Sequence, residues 1–188
     1  MAVLPIAVLG APILRKETVP VAAVTDELRA LADEMIETMH AANGIGLAAP
    51  QVGRPERLCV ASVDDRTYTL FNPEIIETEG KLRWEEGCLS IPEVFGWVNR
   101  AARVKVRALD RNGEVIEVEG TELLGVCLQH EIDHLHGRLF IDHLSFLKRR
   151  QALADWEEEK GKYPDLLRIL KPGDTDVPRS SHAADGAL

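Results

Sequence analysis

The spacing of apolar residues predicts an amphipathic helix between Thr25 and Asn43. The apolar positions recur every three or four residues and would form one face: Leu28, Leu31, Ala32, Met35, Ile36 and Met39. Thr25 is the expected N-cap, because its hydroxyl can accept a hydrogen bond from the first turn. Asn43 and Gly44 are expected to end the helix. Residues 1–20 are apolar but interrupted by prolines and a glycine, which predicts a tethered arm rather than a helix.

The middle of the chain has the alternation that is typical of β-strands. Strands are predicted over residues 57–63, 67–71, 73–78, 81–84, 103–109 and 115–118. Residues 64–66 and Glu79–Gly80 are expected to be turns, and Asn112-Gly113 is a typical hairpin signal. Within 103–109 the apolar residues would face a core, while Lys105 and Arg107 would face solvent.

Two further helices are predicted in the C-terminal half. One spans about residues 122–136, with Thr121 as N-cap and Gly137 after its end. It is apolar almost all round, which predicts burial, yet it contains Gln129, His130, Glu131, Asp133 and His134. Buried polar groups need partners or a function. The other runs from about 145 to 160, with Phe146, Leu153 and Trp156 expected to face inward. Residues 172–188 lack any periodicity and are expected to form a flexible tail.

Composition narrows the class of protein. The 188 residues suit one domain, and an apolar fraction of 45% is enough for a core. With 31 acidic and 22 basic residues, the net charge of −9 disfavours nucleic-acid binding, and we expect no specific DNA binding. The three cysteines cannot build a disulfide framework. No apolar run reaches the length of a membrane span, and the N-terminus lacks the layout of a signal peptide. We therefore expect an intracellular protein without membrane association.

The predicted buried helix contains His130, Glu131 and His134 in the spacing H-E-x-x-H. Imidazoles four residues apart lie on one helix face and can converge on one ion. In this arrangement the two histidines bind a metal and the glutamate acts as general base. Histidines that only form hydrogen bonds in the core are the alternative. Two histidines with a glutamate between them favour metal binding over hydrogen bonding in the core.

A catalytic metal site usually has a third protein ligand and one open position. The downstream candidates are Asp142, His143, Asp155 and the acidic run 157–159. Upstream, Cys88 follows a predicted strand beside Gly87, as a ligand on a loop would, and a thiolate is a good ligand for zinc or iron. Cys59 and Cys127 are interpreted as small buried apolar residues, or, for Cys127, as part of a pocket wall. The spacing alone leaves the third ligand open.

The segment from Gly44 to Gln51, G-I-G-L-A-A-P-Q, is a third candidate for chemistry. Its two glycines allow a ligand to approach the backbone closely. Gln51 is a neutral amide donor that could stabilise an oxyanion. A loop that turns from a helix into a strand accounts for the same residues equally well.

Together, and in this order, three segments resemble the peptide deformylase family. They are Gly44–Gln51, Glu86–Ser90 (E-G-C-L-S) and Gln129–Gly137 (Q-H-E-x-D-H-L-x-G), and the resemblance covers about residues 3–160. It implies that Cys88, His130 and His134 hold one divalent ion, iron(II) in the family, with zinc, nickel or cobalt able to replace it. We expect an α+β fold, with antiparallel strands wrapped around the central metal-bearing helix and N-terminal and C-terminal flanking helices. Residues 1–171 would form a single catalytic domain.

The resemblance also implies a reaction, the hydrolytic removal of the formyl group from N-formylmethionyl nascent peptides. Glu131 would take a proton from the attacking water and pass it to the departing amine, after which formate and a free N-terminal amine remain. The Gln51 side chain and the Leu89 backbone N–H would stabilise the oxyanion. Substrate contacts would come from Gly44, Ile45, Gly46, Trp84, Glu86, Leu123, Val126 and Cys127.

Several further expectations follow from the resemblance. Ile45 and Gly46 would present backbone groups to a peptide lying alongside as an added strand. Glu86 would pair with Arg100 and hold the Cys88 loop, or the two would be a simple surface pair. Phe95 is expected on a loop. The C-terminal helix would dock on the ribosome through the basic residues 148–150, and the enzyme would belong to the bacterial cytoplasm.

Two other functions compete with this interpretation. An endopeptidase of the H-E-x-x-H type would need a downstream ligand, and none stands in a distinctive context. A catalytically inactive homologue that binds peptides or the ribosome would not need an intact Glu131, Gln51 and ligand set.

Overall fold

The structure, a computed structural model, describes residues 3–170. The predicted tail, residues 172–188, lies outside the described residues. The strands are β1 (Ile6–Ala7), β2 (Gly46–Ala48), β3 (Leu58–Val63), β4 (Arg66–Glu79), β5 (Leu82–Cys88), β6 (Ile91–Arg100), β7 (Arg103–Leu109), β8 (Val115–Thr121) and β9 (Leu167–Arg168). The α-helices are α1 (Asp26–Ala41), α2 (Glu122–Leu135) and α3 (Phe146–Glu159). No helix in this part of the chain has the length and apolar character needed to cross a membrane.

A five-stranded antiparallel sheet in the order β2-β3-β4-β7-β8 forms the body of the fold. Strand β3 is buried on both faces, because Leu58 and Val60 belong to the cluster under α1 while Cys59 belongs to the cluster under α2. Such a strand appears in the sequence as a continuous apolar run rather than an alternation. The sheet thus lies between the N-terminal helix and the central helix, and the predicted α+β class is confirmed.

Helix α2 is the central helix, as predicted, with Thr121 as N-cap and His136 as C-cap. Its apolar residues Leu128, Ile132 and Leu135 pack on sheet residues that include Val104 and Val106. Burial of this face fixes how the helix is rotated about its axis. The opposite face is therefore turned away from the sheet core, and the two histidines lie there.

Two strand predictions are corrected by the structure. Residues 67–71 and 73–78 form the single strand β4, because a register shift between Phe71 and Glu74 absorbs Pro73 within one strand. Asn72 adopts a positive φ of 49° at this irregularity. The strand predicted over 81–84 extends to Cys88, and β6, which the sequence analysis did not predict, pairs with it in a separate two-stranded sheet. Phe95 lies on β6 and not on a loop.

The flanking helices match the predictions in position but not in every side chain. Thr25 caps α1, since its hydroxyl accepts a hydrogen bond from the amide of Leu28 at 3.3 Å. In α3 only Trp156 of the three predicted inward residues is buried, whereas Phe146 is 79% and Leu153 38% exposed. The helix packs on β6 through a narrow stripe, formed by Ala152 and Trp156 one turn apart. The arm at residues 1–20 contributes the short strand β1, which pairs with β9.

Candidate metal centre

Three potential ligands converge between α2 and the end of β5. The Nε2 atoms of His130 and His134 lie 3.2 Å apart, and Sγ of Cys88 lies 3.3 Å from Nε2 of His134. The helix places the two imidazoles on one face because they are four residues apart. Cys88 is the last residue of β5, where the pairing with β6 shifts register. All three side chains are buried.

The donor set fits a divalent transition metal. The ordinary ligands of zinc and iron in proteins are imidazole nitrogen and thiolate sulfur. Burial, and then the neighbouring His130, lower the pKa of His134, so its ring is neutral as a ligand must be. Burial raises the pKa of the Cys88 thiol to about 12 in the absence of an ion, and a bound cation would stabilise the thiolate instead.

The downstream residues considered as third ligands have other partners. Asp142 pairs with Arg15 at 2.5 Å, and His143 contacts Asp133 at 2.7 Å. Asp155 accepts a hydrogen bond from Gln151 at 2.7 Å. Of the acidic run, Glu157 and Glu159 pair with Lys160 and Lys162. Within residues 3–170, the group of side chains able to hold an ion consists of Cys88, His130 and His134.

Glu131 lies beside these donors with an unusual environment. Its side chain is 0% exposed, and among the described residues neither carboxylate oxygen has a hydrogen-bond partner. Burial, and then the charge of Glu86, raise the pKa of Glu131 well above its ordinary value. A buried carboxyl group without a partner is costly, so its presence indicates a function or a ligand not contained in the chain itself.

The glycines of the G-I-G segment make room at this site. A Cβ atom on Gly46 would overlap the carboxylate of Glu131 and would lie 2.9 Å from Sγ of Cys127. A Cβ atom on Gly44 would lie 2.6 Å from Cδ1 of Leu89. The segment thus packs directly against the buried carboxylate and against the residue that follows Cys88.

Gln51 is buried next to Cys88. Its Oε1 accepts a hydrogen bond from the amide of Ala48 at 2.8 Å, which orients the side chain. Its Nε2 points to Oγ of Ser90 at 3.1 Å and to Sγ of Cys88 at 3.7 Å. The backbone amide of Ser90 also lies 3.4 Å from Sγ of Cys88. The amide group of Gln51 is therefore held at the edge of the three-donor cluster, with Ser90 as a neighbour that the sequence analysis missed.

A buried charge network lies behind His130. Nδ1 of His130 donates to Oε2 of Glu86 at 2.8 Å, which leaves Nε2 free to face the cluster. Arg100 donates to both oxygens of Glu86, at 2.6 and 2.9 Å. Burial alone would raise the pKa of Glu86, but hydrogen bonds from Arg100 and His130 lower it to about 2. The Glu86–Arg100 pair is thus buried, and the alternative of a simple surface pair is wrong.

The network extends beyond what the sequence analysis identified. Arg100 donates through its third nitrogen, Nη1, to Asp133 at 2.5 Å, and Asp133 contacts His143. Burial opposes the ionisation of Asp133, but the hydrogen bond from His143 and the charge of Arg100 lower its pKa overall. A signal was available for Asp133, which lies one turn after His130 on the same helix. Nothing in the sequence connects His143 to Asp133 or to His130.

Most of the residues predicted to contact substrate come together beside Gly46. Ile45, Trp84, Leu123, Val126 and Cys127 share one apolar cluster, and Sγ of Cys127 lies 3.6 Å from the carbonyl of Ile45. Glu86 does not join them, because its carboxylate is taken by Arg100 and His130. Cys59 is a buried core residue, as expected.

Comparison with known proteins identifies the family of this chain. The family model described as polypeptide deformylase matches residues 3–150. The chain belongs to the peptide deformylase family. The peptide deformylase of Hydrogenovibrio crunogenus is 54% identical over 149 residues, which cover 78% of this chain and 88% of the relative. Enzymes of this family are metal-dependent hydrolases that remove the formyl group from N-formylmethionyl nascent peptides.

Solved peptide deformylases superpose on most of this chain. The enzyme from Legionella pneumophila superposes with a TM-score of 0.82 at 43% identity, covering 86% of this chain and 97% of that one. The enzyme from Ehrlichia chaffeensis in complex with actinonin superposes with a TM-score of 0.82 at 38% identity, covering 87% and 99%. The predicted fold, enzyme class and reaction are therefore confirmed.

Proposed function

We propose that Cys88, His130 and His134 are the metal ligands of this peptide deformylase and that the native ion is iron(II). The convergence of three buried donors beside a buried carboxylate without a partner supports the ligand assignment. A mixed thiolate and imidazole set also accepts zinc, nickel or cobalt, so iron rests on the family resemblance. When bound, the ion would lower the pKa of a water molecule and polarise the formyl carbonyl.

Glu131 is proposed as the general base and then the general acid. Because both of its oxygens lie buried beside the donor cluster, it can accept the proton of the attacking water. The amine of the peptide is a poor leaving group and needs a proton, which Glu131 then returns. Gly46 keeps the space for its carboxylate. One side chain thus moves a single proton from water to the leaving nitrogen.

Gln51 and Leu89 are proposed to stabilise the oxyanion. Gln51 has its amide group fixed by Ala48, and its nitrogen already faces the sulfur of Cys88. Leu89 follows Cys88 and could offer its backbone N–H from the same turn. Donors held in place before the reaction stabilise a developing charge without a cost of reorganisation.

The substrate is proposed to lie along β2, the edge strand of the five-stranded sheet. Gly44, Ile45 and Gly46 precede or begin this edge and would pair with the peptide backbone as an added strand. The cluster of Ile45, Trp84, Leu123, Val126 and Cys127 would receive the methionine side chain. The Ehrlichia chaffeensis relative has been solved in complex with actinonin, so that enzyme binds a ligand.

A contact with the ribosome is also proposed, through the start of α3. Phe146 and Leu147 are 79% and 74% exposed at the start of the helix, ahead of three basic residues, 148–150. Arg149 is partly neutralised by Asp142 at 3.2 Å, and the same helix ends in an acidic run. Action on nascent chains would place the enzyme in the bacterial cytoplasm.

The reaction can be tested by formate release from a formyl-Met tripeptide. The protein is prepared without oxygen, and metal content is measured on the same sample. We expect about one ion per chain and turnover that stops when a chelator removes it. Acetate release from the matched acetyl-Met tripeptide should be much slower than formate release from the formyl-Met tripeptide. A fully metallated sample that releases no formate, or that cuts internal peptide bonds instead, would contradict the proposal.

A further inference from the structure

The buried charge network reaches the surface at His143. Nε2 of His143 lies 2.7 Å from Oδ2 of Asp133, and the same oxygen accepts from Nη1 of Arg100 at 2.5 Å. The side chain of Asp133 is 16% exposed and that of His143 31% exposed. A continuous line of hydrogen bonds therefore runs from His143 through Asp133, Arg100 and Glu86 to Nδ1 of His130.

The short 3-10 helix that contains His143 touches His130 by a second route. This helix spans Phe140–His143, and the ring of Phe140 stacks on the His130 ring with centroids 6.4 Å apart and planes inclined by 20°. One segment, outside the three sequence motifs, thus contacts His130 by packing and is connected to it by hydrogen bonds. Phe140 is fully buried, which fixes the segment against α2.

We propose that His143 is a positioning residue for the metal centre, acting on His130 through Asp133, Arg100 and Glu86. This inference rests on the proposed ligand role of His130. By donating a hydrogen bond to Asp133, His143 holds that carboxylate in the position from which it accepts the hydrogen bond of Nη1 of Arg100. Arg100 then keeps its other two nitrogens on Glu86, and Glu86 fixes the orientation and the proton of His130. Partners of this kind tune the ligand basicity and the metal affinity of a histidine.

The network acts on one of the two imidazoles. Nδ1 of His134 has no hydrogen-bond partner within the described part of the chain. Its ring is fixed by burial, while the His130 ring is fixed by both burial and a charged partner. Loss of His143 is therefore expected to loosen one metal–nitrogen bond and leave the other ligands in place.

The test measures the affinity of the metal-free protein for cobalt(II) by competition with a chelator, together with the visible spectrum of the cobalt form. We expect His143→Ala to weaken cobalt binding about tenfold and to change the spectrum. His143→Gln can still donate to Asp133 from a similar position and should recover most of the affinity. His143→Leu lacks the hydrogen-bond donor but keeps a side chain of similar volume. It replaces His143→Ala in the test if the alanine variant does not fold.

His136→Ala is the matched control. Nδ1 of His136 contacts Glu17 at 2.7 Å, its side chain is 39% exposed, and it caps the end of α2. It therefore resembles His143 in partner and exposure but lies outside the network. Equal cobalt affinity and identical spectra for His143→Ala, His136→Ala and the wild type would overturn the inference alone. A wild-type protein that binds no cobalt would overturn the ligand assignment and this inference together.

Discussion

Gly46 packs against the carboxylate of Glu131, and a Cβ atom at this position would overlap Oε1. Glycine is needed here because it has no Cβ atom, and any larger residue must displace the carboxylate of the proposed base. Cys127 closes the same space, with its Sγ only 2.9 Å from that Cβ position. The proposed base and a wall of the proposed methionine pocket thus meet at one glycine.

Gly46→Ala is predicted to lower kcat at least tenfold while the metal stays bound. The added methyl group pushes the Glu131 carboxylate away from its place beside the ligands, and such small displacements are costly for catalysis. Formate release and metal content measured together check this. Gly161→Ala is the control, because a Cβ at that position would have no heavy atom within 4 Å apart from those of the residue itself and its chain neighbours. A normal rate in Gly46→Ala would mean that the carboxylate position is not critical.

Cys88→Ser is predicted to lose most of the metal affinity and the thiolate absorption of the cobalt form. A hydroxyl is a much poorer ligand than a thiolate for these ions. Cobalt binding followed by visible spectroscopy measures both effects. Cys59→Ala serves as the control, since Cys59 is equally buried but lies in the core under α2. An unchanged spectrum in Cys88→Ser would remove Cys88 from the ligand set.

Leu123→Ala is predicted to raise KM for a formyl-Met peptide about tenfold with a smaller change in kcat. Leu123 is a half-buried member of the proposed methionine pocket, and a shortened side chain loses apolar contact with the substrate. Steady-state kinetics separate the two constants. Ile116→Ala removes a similar half-buried side chain on β8, outside that cluster. If both variants shift KM equally, the pocket lies elsewhere.

Asp142→Asn is predicted to lower the free energy of unfolding by about 0.5–1 kcal/mol near neutral pH, as expected for a partly exposed ion pair. Asp142 joins the arm to the segment before α3, through Arg15 and the amide of Leu139. Burial opposes its ionisation, but these hydrogen bonds lower its pKa below the ordinary value of 3.8. Its contribution is therefore present above about pH 4 and lost as the pH falls through the folded-state pKa.

Denaturant unfolding at several pH values tests this prediction. The difference between wild type and Asp142→Asn should shrink as the pH falls below about 4 and the wild-type carboxylate becomes protonated at its lowered pKa. Asp64→Asn, on the exposed turn between β3 and β4, should show little difference at any pH. A wild-type advantage that does not shrink as the pH is lowered below about 4 would assign the effect to packing rather than to charge.

The parts of the site set by local geometry could be predicted from the sequence. His130 and His134 share a face because helix periodicity alone decides it. Cys88 lies 46 residues before His134, and only the family resemblance selected it among several candidates. The link between Asp133 and His143 depends on how the segment after α2 turns back, which no spacing rule gives. Tertiary packing decides such contacts.

The fold shows the same division. Helices α1 and α2 both begin directly after the threonine predicted as N-cap, although only the hydroxyl of Thr25, and not that of Thr121, makes the capping hydrogen bond. Strand β6 was missed because Pro92 and Gly96 interrupt its apolar pattern, although both are tolerated in a two-stranded sheet. The prediction that Phe146 faces inward was wrong. The periodicity of α3 does not show how much of the helix surface β6 covers.

The central claim is that Glu131 moves the proton in a metal-dependent deformylation. Glu131→Gln keeps the shape of the side chain but cannot accept a proton, and Glu158→Gln on the exposed part of α3 is its control. The decisive measurement is the rate of formate release from a formyl-Met tripeptide per metal-loaded chain. We predict full metal content with a rate lowered about 100- to 10,000-fold. A metal-loaded Glu131→Gln protein that releases formate at the wild-type rate would contradict the account.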